Sequence, residues 1–158
     1  MSSKINILIA DDELQNKEML IDGLSQVISN FEVETVNNGA DCINIIKSGY
    51  QPDLLFLDLE MPVLNGLDCL QYMHTQKLLN NAPVIIYSSS QNLKAIKAAS
   101  GYGASFYLVT PASSYKLGAL LQYIFKLLGL PRTEQKKKQN FVIAHEKLAK
   151  VLNYHVSM

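Results

Sequence analysis

The chain has 158 residues, and no run in it approaches the roughly 18 consecutive apolar residues of a membrane-spanning helix. The opening Met1-Ser2-Ser3-Lys4 lacks the apolar core of a signal peptide, so a cytoplasmic protein is expected, with no membrane partner. Cysteine is scarce. Cys42 and Cys69 have no paired spacing and fall in helical patterns, which argues against a disulfide framework and predicts reduced, packed thiols. His74, His145 and His155 share no metal-ligand spacing with each other or with a cysteine pair. Internal repeats are absent, and low complexity is limited to Ser88-Ser89-Ser90 and Lys136-Lys137-Lys138. Net charge is also missing, but the zero hides an asymmetry. Residues 1–130 carry 8 Lys against 12 Asp or Glu, a net of −4, and residues 131–158 carry 6 Lys or Arg against 2 Glu, a net of +4. An acidic body has no basic face with which to neutralise phosphates, so DNA is not expected as a partner.

What is present is globular composition, 48% hydrophobic and 18% charged. Five short runs rich in Val, Ile, Leu, Phe or Tyr recur at 5–10, 32–36, 54–58, 84–87 and 105–109. Between them lie helical spacings: Leu20, Leu24, Val27 and Ile28; Ile43 and Ile46; Leu67, Leu70 and Met73; Ala95, Ile96 and Ala99; and finally Leu117, Leu120, Leu121, Ile124, Phe125 and Leu128. Strands alternating with helices predict βαβ units and a parallel sheet covered on both faces. The central runs are apolar without alternation, as expected for doubly covered strands. The predicted fold class is α/β, a doubly wound five-stranded sheet over residues 4–129. Gly129-Leu130-Pro131 should end the last helix, followed by a polar basic linker over 130–140. Phe141, His145, Leu148 and Leu152, spaced 4, 3 and 4, then predict a short amphipathic helix over 141–155.

Two of the apolar runs stop at carboxylates. Ile5–Ala10 ends in Asp11-Asp12-Glu13, and Leu54–Leu57 ends in Asp58. Doubly wound sheets bind ligands beyond the carboxyl ends of their strands, where these acids would meet. Like charges about 4 Å apart repel by roughly 4 kcal/mol at a partly buried site, so such a cluster calls for a cation. A small hard ion with oxygen ligands, Mg²⁺ or Mn²⁺, answers that need. With its charge partly neutralised, an aspartate can attack phosphorus and become an aspartyl-phosphate. An acidic pair after one strand can equally be a helix N-terminus with favourably placed acids. That reading cannot account for Asp58, which follows a separate strand.

The order of motifs resembles the receiver domain of two-component response regulators across residues 4–129. The matching segments are Ile7–Glu13, Asp53–Pro62, Asn65-Gly66, Pro83–Ser89 and Gly103–Pro111. The resemblance implies a flavodoxin-like sheet of order 2-1-3-4-5. It also implies Asp58 as phosphoacceptor and a metal site of Asp11, Asp12, Asp58 and the backbone carbonyl of Glu60. Ser88 matches the switch hydroxyl that turns to the phosphoryl group, and would otherwise read as a strand-end serine satisfying nearby backbone. Tyr107 matches the mobile switch aromatic, though a core tyrosine would fit the position equally well. Asn65 stands for the usual Asp and does the same turn work. The bond before Pro111 is a candidate cis peptide. The departure is Thr110, where the family has Lys. A charge-assisted hydrogen bond is worth roughly 1.5–3 kcal/mol and a neutral one about 0.5–1.5, so coupling of phosphate to this loop should fall by about 1–2 kcal/mol, roughly tenfold in switch populations. Lys116 lies too far along the next helix to stand in.

The function expected from these residues is that of a stand-alone receiver. It would be phosphorylated on Asp58 by a histidine kinase or histidine phosphotransfer protein and signal through contacts with an unnamed output protein. It would turn over no metabolite. The competing reading is a receiver-like scaffold that Thr110 has uncoupled from phosphate. An enzyme on the same sheet would need a Ser/Thr/Gly-rich phosphate cradle where Asp11-Asp12-Glu13 stands. The Phe141 stripe could dock on its own receiver or on a partner, and a homodimer could form through it or through the last receiver helix.

Overall fold

The computed structural model describes residues 3–129 and 141–144. Strands β1 (Ile5–Ala10), β2 (Phe31–Val36), β3 (Leu54–Leu57), β4 (Val84–Ser88) and β5 (Phe106–Val109) alternate with helices α1 (Leu14–Ser25), α2 (Gly39–Lys47), α3 (Gly66–Thr75), α4 (Leu93–Gly101) and α5 (Ser114–Leu128). The order 2-1-3-4-5 is the expected flavodoxin-like one, and a sixth strand, β6 (Val142–Ile143), lies outside β5. All pairings are parallel.

The period of two in the strands sorts side chains between two cores. Ile7, Ile9, Phe56, Ile85, Tyr87 and Leu108 face α1 and α5, where Leu20, Leu24, Leu117, Leu121 and Ile124 close over them. Leu8, Ala10, Leu55, Leu57, Ile86 and Tyr107 face α2, α3 and α4, where Cys42, Ile46, Cys69, Leu70, Met73 and Ala99 pack. Each fully buried Leu, Ile or Phe contributes about 1.5–3 kcal/mol, and the two layers together fix the sheet. The apolar stripe of α5 is thus spent inside its own domain. Both cysteines are free and buried. The Cys69 thiol beside it and then burial push the Cys42 thiol well up, so it stays protonated.

Polar side chains set the helix starts. Asn38, Asn65, Asn92 and Ser113 cap α2, α3, α4 and α5, each accepting from a backbone N–H of the first turn. Asn65 therefore anchors α3 as well as the turn before it. Two positions differ from the sequence reading. Val27 and Ile28 lie beyond the end of α1, but still pack on the core from the following turn.

The larger correction is at the C-terminal segment. Val142 and Ile143 form a strand, where a helix from 141 was expected; residues 130–140 and 145–155 of the predicted linker and helix lie outside the described residues. The physical reason is the open edge of β5. Tyr107 donates its N–H to the Phe141 carbonyl at 2.8 Å, and Val142 and Ile143 take register with Tyr107 and Leu108. An unpaired sheet edge offers backbone partners that local helical spacing does not outweigh.

Candidate functional site

β1 and β3 are neighbours, and their ladder runs to its end: Ala10 pairs with Leu57, and the Asp58 N–H reaches the Ala10 carbonyl at 2.9 Å. Asp11 and Asp58 therefore leave the sheet side by side. Carboxylate oxygens of Asp11, Asp12 and Asp58 all lie within 4.8 Å of one another. Asp11 and Asp58 are buried and Asp12 is exposed, so the cluster opens to solvent on one side. The helix-cap alternative for these acids does not describe the geometry. Glu13 occupies the N-cap of α1 but its side chain caps no backbone N–H of the helix, and α1 has no acid in its first turn.

Hydrogen bonds hold one oxygen of each buried acid. Asp11 Oδ1 accepts from the Glu13 N–H at 2.9 Å, and Asp58 Oδ1 accepts from the Leu59 N–H at 2.8 Å. Asp11 Oδ2 is enclosed and has no partner. Burial, and then the charge of Asp11, push the Asp58 carboxyl up to about 7, against the lowering effect of the Glu60 and Leu59 backbone N–H groups. Burial also raises Asp11. An all-oxygen set with an orphaned carboxylate oxygen fits a hard divalent cation, whose charge would relieve both effects.

Gly66 keeps the loop after β3 tight against Asp58. A Cβ at that position would lie 1.9 Å from the Asp58 carbonyl oxygen, and the Gly66 N–H bonds the Leu59 carbonyl at 2.9 Å. Only glycine permits this approach.

On the other side of Asp58 the strand ends carry hydroxyls. Ser88 closes β4, is 4% exposed, and its Oγ accepts from the Ser90 N–H at 3.2 Å. Tyr107 is fully buried, and its Oη donates to the Ser90 carbonyl at 2.7 Å. The Ser90 loop thus ties the two expected switch residues together. Tyr107 also meets Phe141, ring centroids 6.4 Å apart and tilted at 56°. Thr110 is half-buried and continues the ladder, its N–H on the Ser88 carbonyl at 3.1 Å. The expected cis bond before Pro111 is a correction: no peptide bond among the described residues is cis. The chain passes from β5 to α5 in the trans form, which X–Pro bonds favour by about 0.5–1 kcal/mol.

Sequence reasoning missed Tyr87. In Val84-Ile85-Ile86-Tyr87 it read as one more core residue, yet its hydroxyl lies near this site. The signal available was a phenol placed after three aliphatic residues of the strand and one residue before Ser88.

Residues 7–122 match the response regulator receiver domain family. The chain belongs to that family. Among its relatives is the probable C4-dicarboxylate response regulator DctR of Bacillus subtilis (strain 168), 29% identical over 93% of this chain and 61% of that protein. The chain spans between 39% and 61% of the length of such curated relatives. Two solved receivers share the fold. The phosphorylated cyanobacterial phytochrome response regulator RcpA superposes with a TM-score of 0.72 at 21% identity, covering 79% of this chain and 94% of that one. The Mn(2+)-bound form of response regulator Rcp1 gives 0.70 at 20% identity, covering 80% and 97%.

Proposed function

We propose that this receiver takes a phosphoryl group onto Asp58 from a phosphohistidine, carried by a histidine kinase or a histidine phosphotransfer protein. The supporting observation is the carboxylate trio, gathered within 4.8 Å at the ends of β1 and β3 with Asp11 Oδ2 left without a partner. Asp11, Asp12, Asp58 and the Glu60 carbonyl would hold the cation. A bound Mg²⁺ or Mn²⁺ supplies the positive charge that keeps these acids ionised beside an incoming phosphoryl group. An Asp58 carboxylate oxygen forms the new bond to phosphorus while the P–N bond breaks, and the departing imidazole keeps the electron pair and picks up a proton. Transfer of this kind needs positioning and charge stabilisation more than further covalent chemistry.

Ser88 and Tyr107 carry the response. The Ser88 Oγ accepts from the Ser90 N–H, and its own O–H would turn to donate to a phosphoryl oxygen. Turning Ser88 would disturb the Ser90 loop, whose carbonyl anchors the Tyr107 hydroxyl. Output then passes through protein contacts, in the cytoplasm, and no metabolite is turned over.

The test is treatment with acetyl phosphate and Mg²⁺, read by intact mass. One acid-labile phosphate should appear on the wild-type chain and none on Asp58→Asn. A phosphate that survives Asp58→Asn sinks this reading. Thr110 favours one competitor, a receiver-like scaffold that phosphate does not switch, and absence of any labelling would favour it.

A further inference from the structure

Among the described residues two buried side-chain polar atoms lack a hydrogen-bond partner, Asp11 Oδ2 and Tyr87 Oη. The first faces the cation site. The second has no such explanation. Tyr87 is 2% exposed, on the α1/α5 side of β4, and its ring packs in that core. Leu57 pairs with Ile86, so Tyr87 stands beside Asp58 where β3 and β4 end. Burial and then the Asp11 charge make its phenol a weaker acid, and the neighbouring Thr110 side chain opposes that shift. Register explains the meeting. Tyr87 pairs with Leu108 and Ser88 with Val109, so Thr110 leaves β5 beside the end of β4. A buried hydroxyl without a partner is costly, and phenylalanine would fill the same space without that cost. An acceptor for the phenol proton at another stage of the working cycle would offset that cost.

We propose that Tyr87, with Thr110, stands in for the lysine that receivers carry at position 110, its Oη–H donating to a phosphoryl oxygen on Asp58. The short Thr110 side chain leaves the phenol tip uncovered by any cation, and the ring holds that tip in place at small entropic cost. The hold is neutral, so it lowers the charge at the phosphorylated site less than a lysine would. This inference rests on the phosphoacceptor reading and extends it to one more residue.

Fluoroberyllate, which mimics a phosphoryl group on aspartate, tests the idea on the full chain at saturating Mg²⁺ by calorimetry. Tyr87→Phe should bind it about threefold to tenfold more weakly, the worth of one neutral hydrogen bond. Mg²⁺ affinity should stay within about twofold, and the ligand-free melting temperature should hold or rise, since an unsatisfied hydroxyl is gone. In a Thr110→Lys background, where the lysine takes over, the same change should cost less than about twofold. Wild-type binding matched by Tyr87→Phe would overturn the inference and leave Asp58 as acceptor. A parallel loss of Mg²⁺ affinity and melting temperature would overturn it too, by making Tyr87 merely structural. Equal losses in both backgrounds would show that Tyr87 does not replace the lysine. Failure of the wild-type chain to bind fluoroberyllate at all would remove both this inference and the phosphoacceptor reading.

Discussion

The carboxylates at the ends of β1 and β3 and the hydroxyls at the ends of β4 and β5 share one edge of the sheet but carry opposite electrostatic burdens. Asp11, Asp12 and Asp58 crowd like charges into a partly buried corner, and burial first and the Asp11 charge second push the Asp58 carboxyl up to about 7. Ser88, Tyr107 and Thr110 are neutral; the Ser88 and Tyr107 hydroxyls are tied to the Ser90 backbone, and the Thr110 N–H to the Ser88 carbonyl. The first corner is under tension until a cation arrives; the second is nearly satisfied and waits for a new acceptor. Protons and metal should therefore act on one, and a phosphoryl group on the other.

The largest effect that could break this contrast is pH. In the unfolded chain the Asp58 carboxyl titrates near ~3.9, so between there and about 7 the folded state binds more protons. Stability without metal is therefore fully present at the acidic end of that window and falls as pH rises through it. Urea midpoints in EDTA from pH 5 to 8 should show this fall, Mg²⁺ should flatten it, and Asp58→Asn should remove most of it. A flat wild-type profile in EDTA would show the acid corner to be unstrained. Next in size is Gly66→Ala, whose Cβ would push into the Asp58 carbonyl. Thermal unfolding should register a loss of about 3 kcal/mol.

The hydroxyl corner should answer more quietly. Tyr107→Phe deletes the bond to the Ser90 carbonyl and should cost about 1 kcal/mol in chemical denaturation, with the pH slope unchanged. A steeper pH dependence in that variant would mean that the two corners are coupled electrostatically. The smallest effect is expected from Phe141→Ala, about 0.5–1 kcal/mol from the lost tilted ring contact. Its clearer sign is faster hydrogen exchange at the Tyr107 amide, which bonds the Phe141 carbonyl.

The parallel sheet was legible because its inner strands are unbroken apolar runs, its strand order came from the resemblance to receivers, and the gathering of Asp11, Asp12 and Asp58 followed from where those runs stop. Less visible was whatever depends on a distant partner. Val142 and Ile143 sit in a segment whose 3–4 residue spacing resembles a helix, and only the edge of β5 turns them into a strand. Tyr87 looked like core because it is core; that its hydroxyl lacks a partner depends on which groups surround it in three dimensions.

β6 bears on how this molecule behaves in a crowded solution. Without it, Phe106-Tyr107-Leu108-Val109 would end the sheet as four apolar residues with unpaired amides. Such an edge invites another chain to pair with it. Val142 and Ile143 cover part of that edge, so removing them should raise the tendency of β5 to pair with another chain, a contribution that is colloidal as well as structural.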